Sequence, residues 1–162
     1  MSLATIITSL QANGLDIDSP APDLTVTDHS GESVDLSALL GTGKVVVFFY
    51  PMADTPGCTK QACSLRDGWA TLQERGVSII GVSSDRPKAQ KKFKDKYALP
   101  YRLIADTDQA VAKAFGMGRW CRQAYLFIDG KVAWRDLSAS TGRQYEDVIA
   151  ALDKLEGPAS EE

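Results

Sequence analysis

Histidine, cysteine, basic excess and long apolar runs are all scarce in this chain, and each scarcity removes a class of function. His29 is the only histidine in 162 residues. Zinc would have to draw on His29, Cys58, Cys63 and Cys121, whose spacing matches no paired-ligand pattern. A Cys–His catalytic pair would need His29, in a predicted turn, to be brought in from far along the chain. Three cysteines are too few and odd in number for a secreted disulfide scaffold, and fit a reducing compartment where thiols act chemically. No apolar stretch approaches the roughly 20 residues that span a bilayer, and Met1 to Gly14 lacks the basic start and apolar centre of a secretory signal. A cytoplasmic location without membrane contact is expected. With 18 Lys and Arg against 21 Asp and Glu, the formal net charge is −3, which gives no general attraction to nucleic acid.

What is present is ordinary globular material: 44% hydrophobic and 24% charged residues, with no internal repeat and no low-complexity region. One domain over residues 1–162 is expected, with a core at about 18–155 and flexible ends. Leu24 to Thr27 reads as a strand followed by a turn at His29-Ser30-Gly31-Glu32. Lys44 to Tyr50, rich in valine and aromatics, reads as a central strand buried on both faces. Apolar residues at Ala62, Leu65, Trp69 and Leu72 predict one helix that ends at Gly76. Val77 to Val82 and Tyr101 to Ile104 read as strands, with a helix between them that starts at Pro87 and cannot pass Pro100. Asp106 is positioned to cap a helix carrying Val111 and Phe115. Asp129-Gly130 predicts a two-residue hairpin turn between Ala124–Ile128 and Lys131–Trp134. A last helix carries Tyr145, Val148, Ile149 and Leu152. This order predicts an α/β fold, a mixed central sheet with helices on both faces and a β-hairpin at the N-terminal side, which a thioredoxin-like fold fits.

The chemistry concentrates at Pro51-Met52-Ala53-Asp54-Thr55-Pro56-Gly57-Cys58, where an apolar strand gives way to a helix. A free thiol is mostly protonated near neutrality, and a helix N-terminus lowers its pKa by offering unpaired N–H groups to the thiolate. Gly57 allows close approach because it has no Cβ. The same N–H groups can bind an oxygen of a peroxide. The Thr55 hydroxyl is placed to accept from the peroxide while donating elsewhere. Pro51 and Pro56 stiffen the loop and shield the sulfur from water. Cys63 follows Cys58 after four residues and is a candidate partner for its oxidised form.

Tyr50-Pro51 through Cys63, with the Ala21-Pro22-Asp23 entry, the Gly81-Val82-Ser83-Ser84-Asp85 strand end and the Phe115-Gly116 helix end, resembles the Q-type, or bacterioferritin comigratory protein, group of the peroxiredoxins. The resemblance covers roughly Asp18 to Leu155. It implies a thioredoxin fold and a thiol-dependent peroxidase acting on hydrogen peroxide and organic hydroperoxides, with no bound cofactor and no metal. By the same resemblance Cys58 is the peroxidatic cysteine, Cys63 the resolving one, Thr55 the hydroxyl ligand and Pro51 the shielding proline. Arg122, at the opening of the strand Arg122-Gln123-Ala124-Tyr125, is implied as the guanidinium that holds thiolate and peroxide, with Arg119 a competitor. Thioredoxin or a glutaredoxin-like protein is the implied reductant, and the chain is expected as a monomer or weak homodimer. Two departures are visible: Gln61 stands where relatives commonly have glutamate, and Gly116 to Cys121 is shorter than the loop many relatives carry.

On a regular helix, residues five apart have Cα atoms roughly 8–9 Å apart. A disulfide needs less than about 7 Å. Pairing of Cys58 with Cys63 therefore requires the first helical turns to unwind. A protein thiol–disulfide oxidoreductase is the alternative function, but its usual CxxC pair is missing. Lys88, Lys91, Lys92, Lys94 and Lys96 read as a solvated helix face rather than a phosphate site. Cys121 is expected as a packed residue, and Trp69, Trp120 and Trp134 as packing or shielding.

Overall fold

The computed structural model describes residues 14–118 and 121–157. A short hairpin comes first, Thr25–Thr27 (β1) against Ser33–Asp35 (β2), followed by a one-turn helix, Leu36–Leu40 (α1). The Asp35 carboxylate caps α1 through the N–H groups of Ser37 and Ala38. Lys44–Phe49 (β3) then leads into Pro56–Asp67 (α2), Trp69–Glu74 (α3) and Val77–Ser83 (β4). Pro87–Lys96 (α4), Arg102–Ala105 (β5) and Ala110–Ala114 (α5) follow. Gln123–Ile128 (β6), Lys131–Asp136 (β7) and Gln144–Glu156 (α6) close the chain.

The main sheet has the order β5-β4-β3-β6-β7. β3 runs parallel to β4 and β4 to β5, whereas β6 pairs antiparallel with both β3 and β7. β3 is central, and its side chains divide by parity, as the period of two in a strand requires. Val46, Phe48 and Tyr50 join a buried cluster with Cys58, Ala62, Leu65 and Val148. Val45, Val47 and Phe49 join a second with Leu36, Leu40, Val111 and Phe115. The helices α2 and α6 thus cover one face and α1 and α5 the other. The expected mixed α/β sheet with its hairpin extension is the observed architecture.

Three details differ from the sequence reading. The apolar stripe between Cys58 and Gly76 is two helices, α2 and α3, meeting at Gly68. A Cβ built on Gly68 would stand 2.0 Å from Cδ2 of Tyr145. The ring at the start of α6 therefore fills the space a side chain would need, and the helix turns where that ring lies. Asp106 does hold the start of α5, accepting from Val111 N–H at 2.9 Å and Ala112 N–H at 3.0 Å. It does so from beyond the cap position, which Gln109 fills at φ 58°. Finally, the lysine face of α4 is not all solvated: Lys94 Nζ donates to the carbonyls of Leu99 and Tyr101, tying down the helix end.

Asp129 and Gly130 take φ of 48° and 84°, the two positive values that the predicted hairpin turn demands.

Candidate active site

The loop from Pro51 to Thr55 leaves the sheet at the C-terminal end of β3, just after Tyr50 N–H makes a last bond to Val82 O at 3.1 Å. It is fastened at each step. Ala53 N–H donates to the Asp85 carboxylate at 2.8 Å. Asp54 adopts φ 61°, and its carboxylate accepts from Lys96 Nζ and Tyr97 OH, both at 2.9 Å. The Thr55 hydroxyl donates to Met52 O at 2.8 Å, leaving its lone pairs for another donor. Thr55 does not cap α2 with its side chain, so that hydroxyl does not occupy the first-turn N–H groups.

Pro56 takes the first helical position, where a missing N–H costs nothing. Cys58 is third in the helix and only 1% exposed. Its sulfur faces Arg122, whose Nη2 lies 3.5 Å from Sγ. Arg122 immediately precedes β6, and its carbonyl is pinned by Ala139 N–H at 3.0 Å. Its Nη1 donates to Gln61 Oε1 at 2.7 Å. A Cβ on Gly57 would sit 3.1 Å from Arg122 Nη2 and 3.3 Å from Thr141 Cγ2. The absent side chain is what admits the guanidinium over the helix start.

Cys63 lies on the same intact helix, half-buried, and is a thiol like Cys58. Burial pushes the Cys63 thiol up, with Arg66 pulling weakly the other way. The helix from Cys58 to Ser64 is held from both sides. Tyr101 OH donates to Ala62 O at 2.6 Å. From α6, Gln144 Oε1 accepts from Gln61 Nε2 at 2.7 Å and Tyr145 N–H donates to Ser64 Oγ at 3.1 Å.

Of the residues singled out from sequence, Cys58, Gly57 and Arg122 converge on one spot, Thr55 and Pro51 belong to the loop that delivers Cys58, and Cys63 sits on the same helix. Arg119 and Trp120 lie outside the described residues, while Trp69 and Trp134 pack against the buried cluster that holds Cys58. His29 is occupied elsewhere, accepting from Leu103 N–H at 3.3 Å. Cys121 lines a cavity of about 220 Å³ together with Phe49, Pro51, Ser83, Asp106 and Met117. Sequence reasoning missed Asp54 and Asp85 as anchors of the loop and Gln144 as a partner of Gln61. Asp85 lies in a stretch that carries the family resemblance, so a signal existed for it. Gln144 had none, because only tertiary packing of α6 brings it to α2.

Similarity to known proteins points the same way. The chain is 43% identical to the Coxiella burnetii peroxiredoxin bcp over 103 residues, which are 64% of this chain and 68% of that one. It is 40% identical to the Escherichia coli peroxiredoxin Bcp over 106 residues, 65% of this chain and 66% of that one. Against the chloroplastic peroxiredoxin Q of Oryza sativa subsp. japonica identity is 44% over 99 residues, covering 61% of this chain but only 45% of the longer relative. The peroxidoxin BcpB structure from Mycobacterium tuberculosis superposes with a TM-score of 0.80 at 32% identity, covering 88% of this chain and 99% of that one. The family model described as AhpC/TSA matches residues 17–135, and with the sheet order and the Cys58 site in place, the chain belongs to the AhpC/TSA family.

Proposed function

We propose that this protein is a peroxiredoxin, a thiol-dependent peroxidase that reduces hydrogen peroxide and organic hydroperoxides at Cys58. The observation that carries this reading is the guanidinium of Arg122 set 3.5 Å from a buried sulfur at a helix start. A cation beside the sulfur and a helix start beneath it are the surroundings in which cysteines act as nucleophiles. The guanidinium supplies a donor at the sulfur, and the N–H groups of Gly57 and Cys58 at the helix start and the Thr55 hydroxyl are the further groups this reading assigns to the peroxide.

In the first step the Cys58 thiolate attacks one peroxide oxygen. An S–O bond forms and the O–O bond breaks, giving sulfenic acid and an alkoxide or hydroxide that takes up a proton. Arg122 and the backbone N–H groups stabilise the negative charge as it moves from sulfur to the leaving oxygen. In the second step the Cys63 thiol condenses with the sulfenic acid, forming a disulfide and releasing water. An external dithiol such as thioredoxin or a glutaredoxin-like protein then reduces the disulfide and is itself oxidised. No cofactor enters any step. Such a cycle belongs in a reducing compartment, and the cytoplasm is the location we assign; among the described residues no helix is long and apolar enough to cross a membrane.

The test is peroxide consumption by the purified reduced protein with thioredoxin or dithiothreitol, and its abolition in Cys58→Ser. One equivalent of peroxide should remove two hydrogens, mapped to a Cys58–Cys63 peptide. Failure to consume peroxide together with turnover of protein disulfides would favour the oxidoreductase alternative instead.

A further inference from the structure

Gln61 and Gln144 are both fully buried, and they form a chain that ends on the reactive sulfur: Gln144 Oε1 accepts from Gln61 Nε2, Gln61 Oε1 accepts from Arg122 Nη1, and Arg122 Nη2 faces Cys58 Sγ. The polarity of this chain is dictated from one end. A guanidinium has only donors, so Gln61 must turn its oxygen toward Arg122. Its NH₂ group then points at Gln144, which must answer with its own oxygen. The Nε2 of Gln144 is left buried without a hydrogen-bond partner among the described residues. An unsatisfied buried amide is costly, so whatever Gln144 contributes comes through its oxygen.

We propose that Gln144 is a positioning residue for Arg122: by accepting from Gln61 Nε2 it holds the Gln61 side chain where its oxygen meets the guanidinium and thereby keeps the guanidinium on the Cys58 sulfur. This rests on the peroxidase reading above. A neutral amide at position 61 can rotate end for end, which would set NH₂ against guanidinium. A carboxylate there could not make that error, since both its oxygens accept. Direction at 61 is set by the guanidinium; what the first turn of α6 adds is an anchor for the other end of the amide.

Gln144→Leu exchanges one buried orphan for another, because Gln61 Nε2 loses its acceptor while Gln144 Nε2 disappears. Stability should change little, whereas orientation of Arg122 should suffer. In a Cys63→Ser, Cys121→Ser background, where one thiol titrates, the pH dependence of Cys58 alkylation by iodoacetamide should move to higher pH in Gln144→Leu. The rate of the first reaction with hydrogen peroxide should fall roughly tenfold or more, as loss of an oriented charge-assisted bond implies. The decisive arm is Gln61→Glu, with and without Gln144→Leu. With a carboxylate at 61, a charge-assisted pair should hold the guanidinium without help from position 144, and removing Gln144 should cost less than about threefold. Unchanged Cys58 acidity in Gln144→Leu overturns the proposal. A loss from Gln144→Leu that is equal with and without Gln61→Glu also overturns it, showing Gln144 to be packing alone. Gln144→Met and thermal midpoints of every variant guard against misfolding. Alkylation requires no peroxide, so a protein inert to peroxide would sink the peroxidase reading while the acidity measurement still judged the role of Gln144.

Discussion

Arg122 reaches Cys58 with one nitrogen and Gln61 with another: Nη2 stands 3.5 Å from Sγ while Nη1 donates to Gln61 Oε1 at 2.7 Å. A planar fork held at one tine has little freedom at the other, so the charge facing the sulfur is fixed in place before any substrate arrives. Preorganisation of this kind is worth more than charge alone, because nothing has to reorient as the sulfur gives up its electrons.

Replacing the fork by a point charge separates these contributions. Arg122→Lys keeps one positive charge but cannot hold Gln61 and address Sγ with a fixed geometry. Stopped-flow measurement of the first reaction with peroxide should show a loss of about 10²–10³-fold, the range seen when one preorganised donor is removed. A loss under threefold would mean the charge suffices.

Gly57→Ala addresses the same contact from the helix side. The backbone there is outside the left-handed region, so alanine meets no conformational objection, but its Cβ would press on Arg122 Nη2 at 3.1 Å and Thr141 Cγ2 at 3.3 Å. Displacing the guanidinium by a fraction of an ångström should slow the peroxide reaction roughly tenfold to a hundredfold. Thermal unfolding should move by no more than a few degrees. Parallel loss of stability and rate would indicate that the glycine serves folding.

Cys63→Ser should react once with peroxide at the rate of the unaltered chain and then stop. Mass spectrometry should find sulfenic acid at Cys58, advancing to sulfinic acid with excess peroxide. Sustained turnover in this variant would name another thiol as the resolving one.

The acidity of Cys63 gives the second step a pH signature. Burial raises its folded-state pKa, so the intact helix binds the thiol proton more tightly than the unwound segment does. That advantage of the intact helix is complete below the ordinary thiol value and is lost as pH climbs through it toward the raised folded value. Unwinding and thiolate formation are therefore both favoured by base. After the sulfenic acid has formed, disulfide closure should accelerate by up to about tenfold per pH unit as the pH approaches the thiol range near 8.5. The fluorescence of Trp69, whose ring lies 6.1 Å from that of Tyr101, offers a reporter near the moving segment. A rate independent of pH between 7 and 9 would contradict this.

Gly68→Ala tests the junction of α2 and α6. Its Cβ would fall 2.0 Å from the Tyr145 ring, so the ring must leave or the helices must part. A cost of about 1–3 kcal/mol in chemical denaturation is expected. No loss would mean that the ring swings aside freely.

The sequence carried the periodic parts of this molecule well, for physical reasons that can be named residue by residue. Val45 to Phe49 could only be a strand covered on both sides, and Asp129-Gly130 could only be a tight turn. The reactive loop was legible because Pro51, Thr55, Gly57 and Cys58 lie within one short stretch. Arg122 was reached through resemblance, since a lone arginine before a strand has no local signature. The break at Gly68 escaped because its cause, Tyr145, is far along the chain. Gln144 escaped for the same reason: an amide that matters only through its partner leaves no pattern in its own neighbourhood. Gln61, visible in the sequence only as a departure from the glutamate of relatives, still braces Arg122 through its oxygen.

The first turn of α6 meets α2 in three places, Gln144 at Gln61, Tyr145 N–H at Ser64 and the Tyr145 ring at Gly68. Only the first of these lies inside the stretch that must come apart for two sulfurs to meet. In the proposed cycle the other two would act as a doorstop: fraying that starts at Thr55 would run out by Ser64, and the rest of the domain need never notice its reactive end melting and refreezing with each molecule of oxidant destroyed.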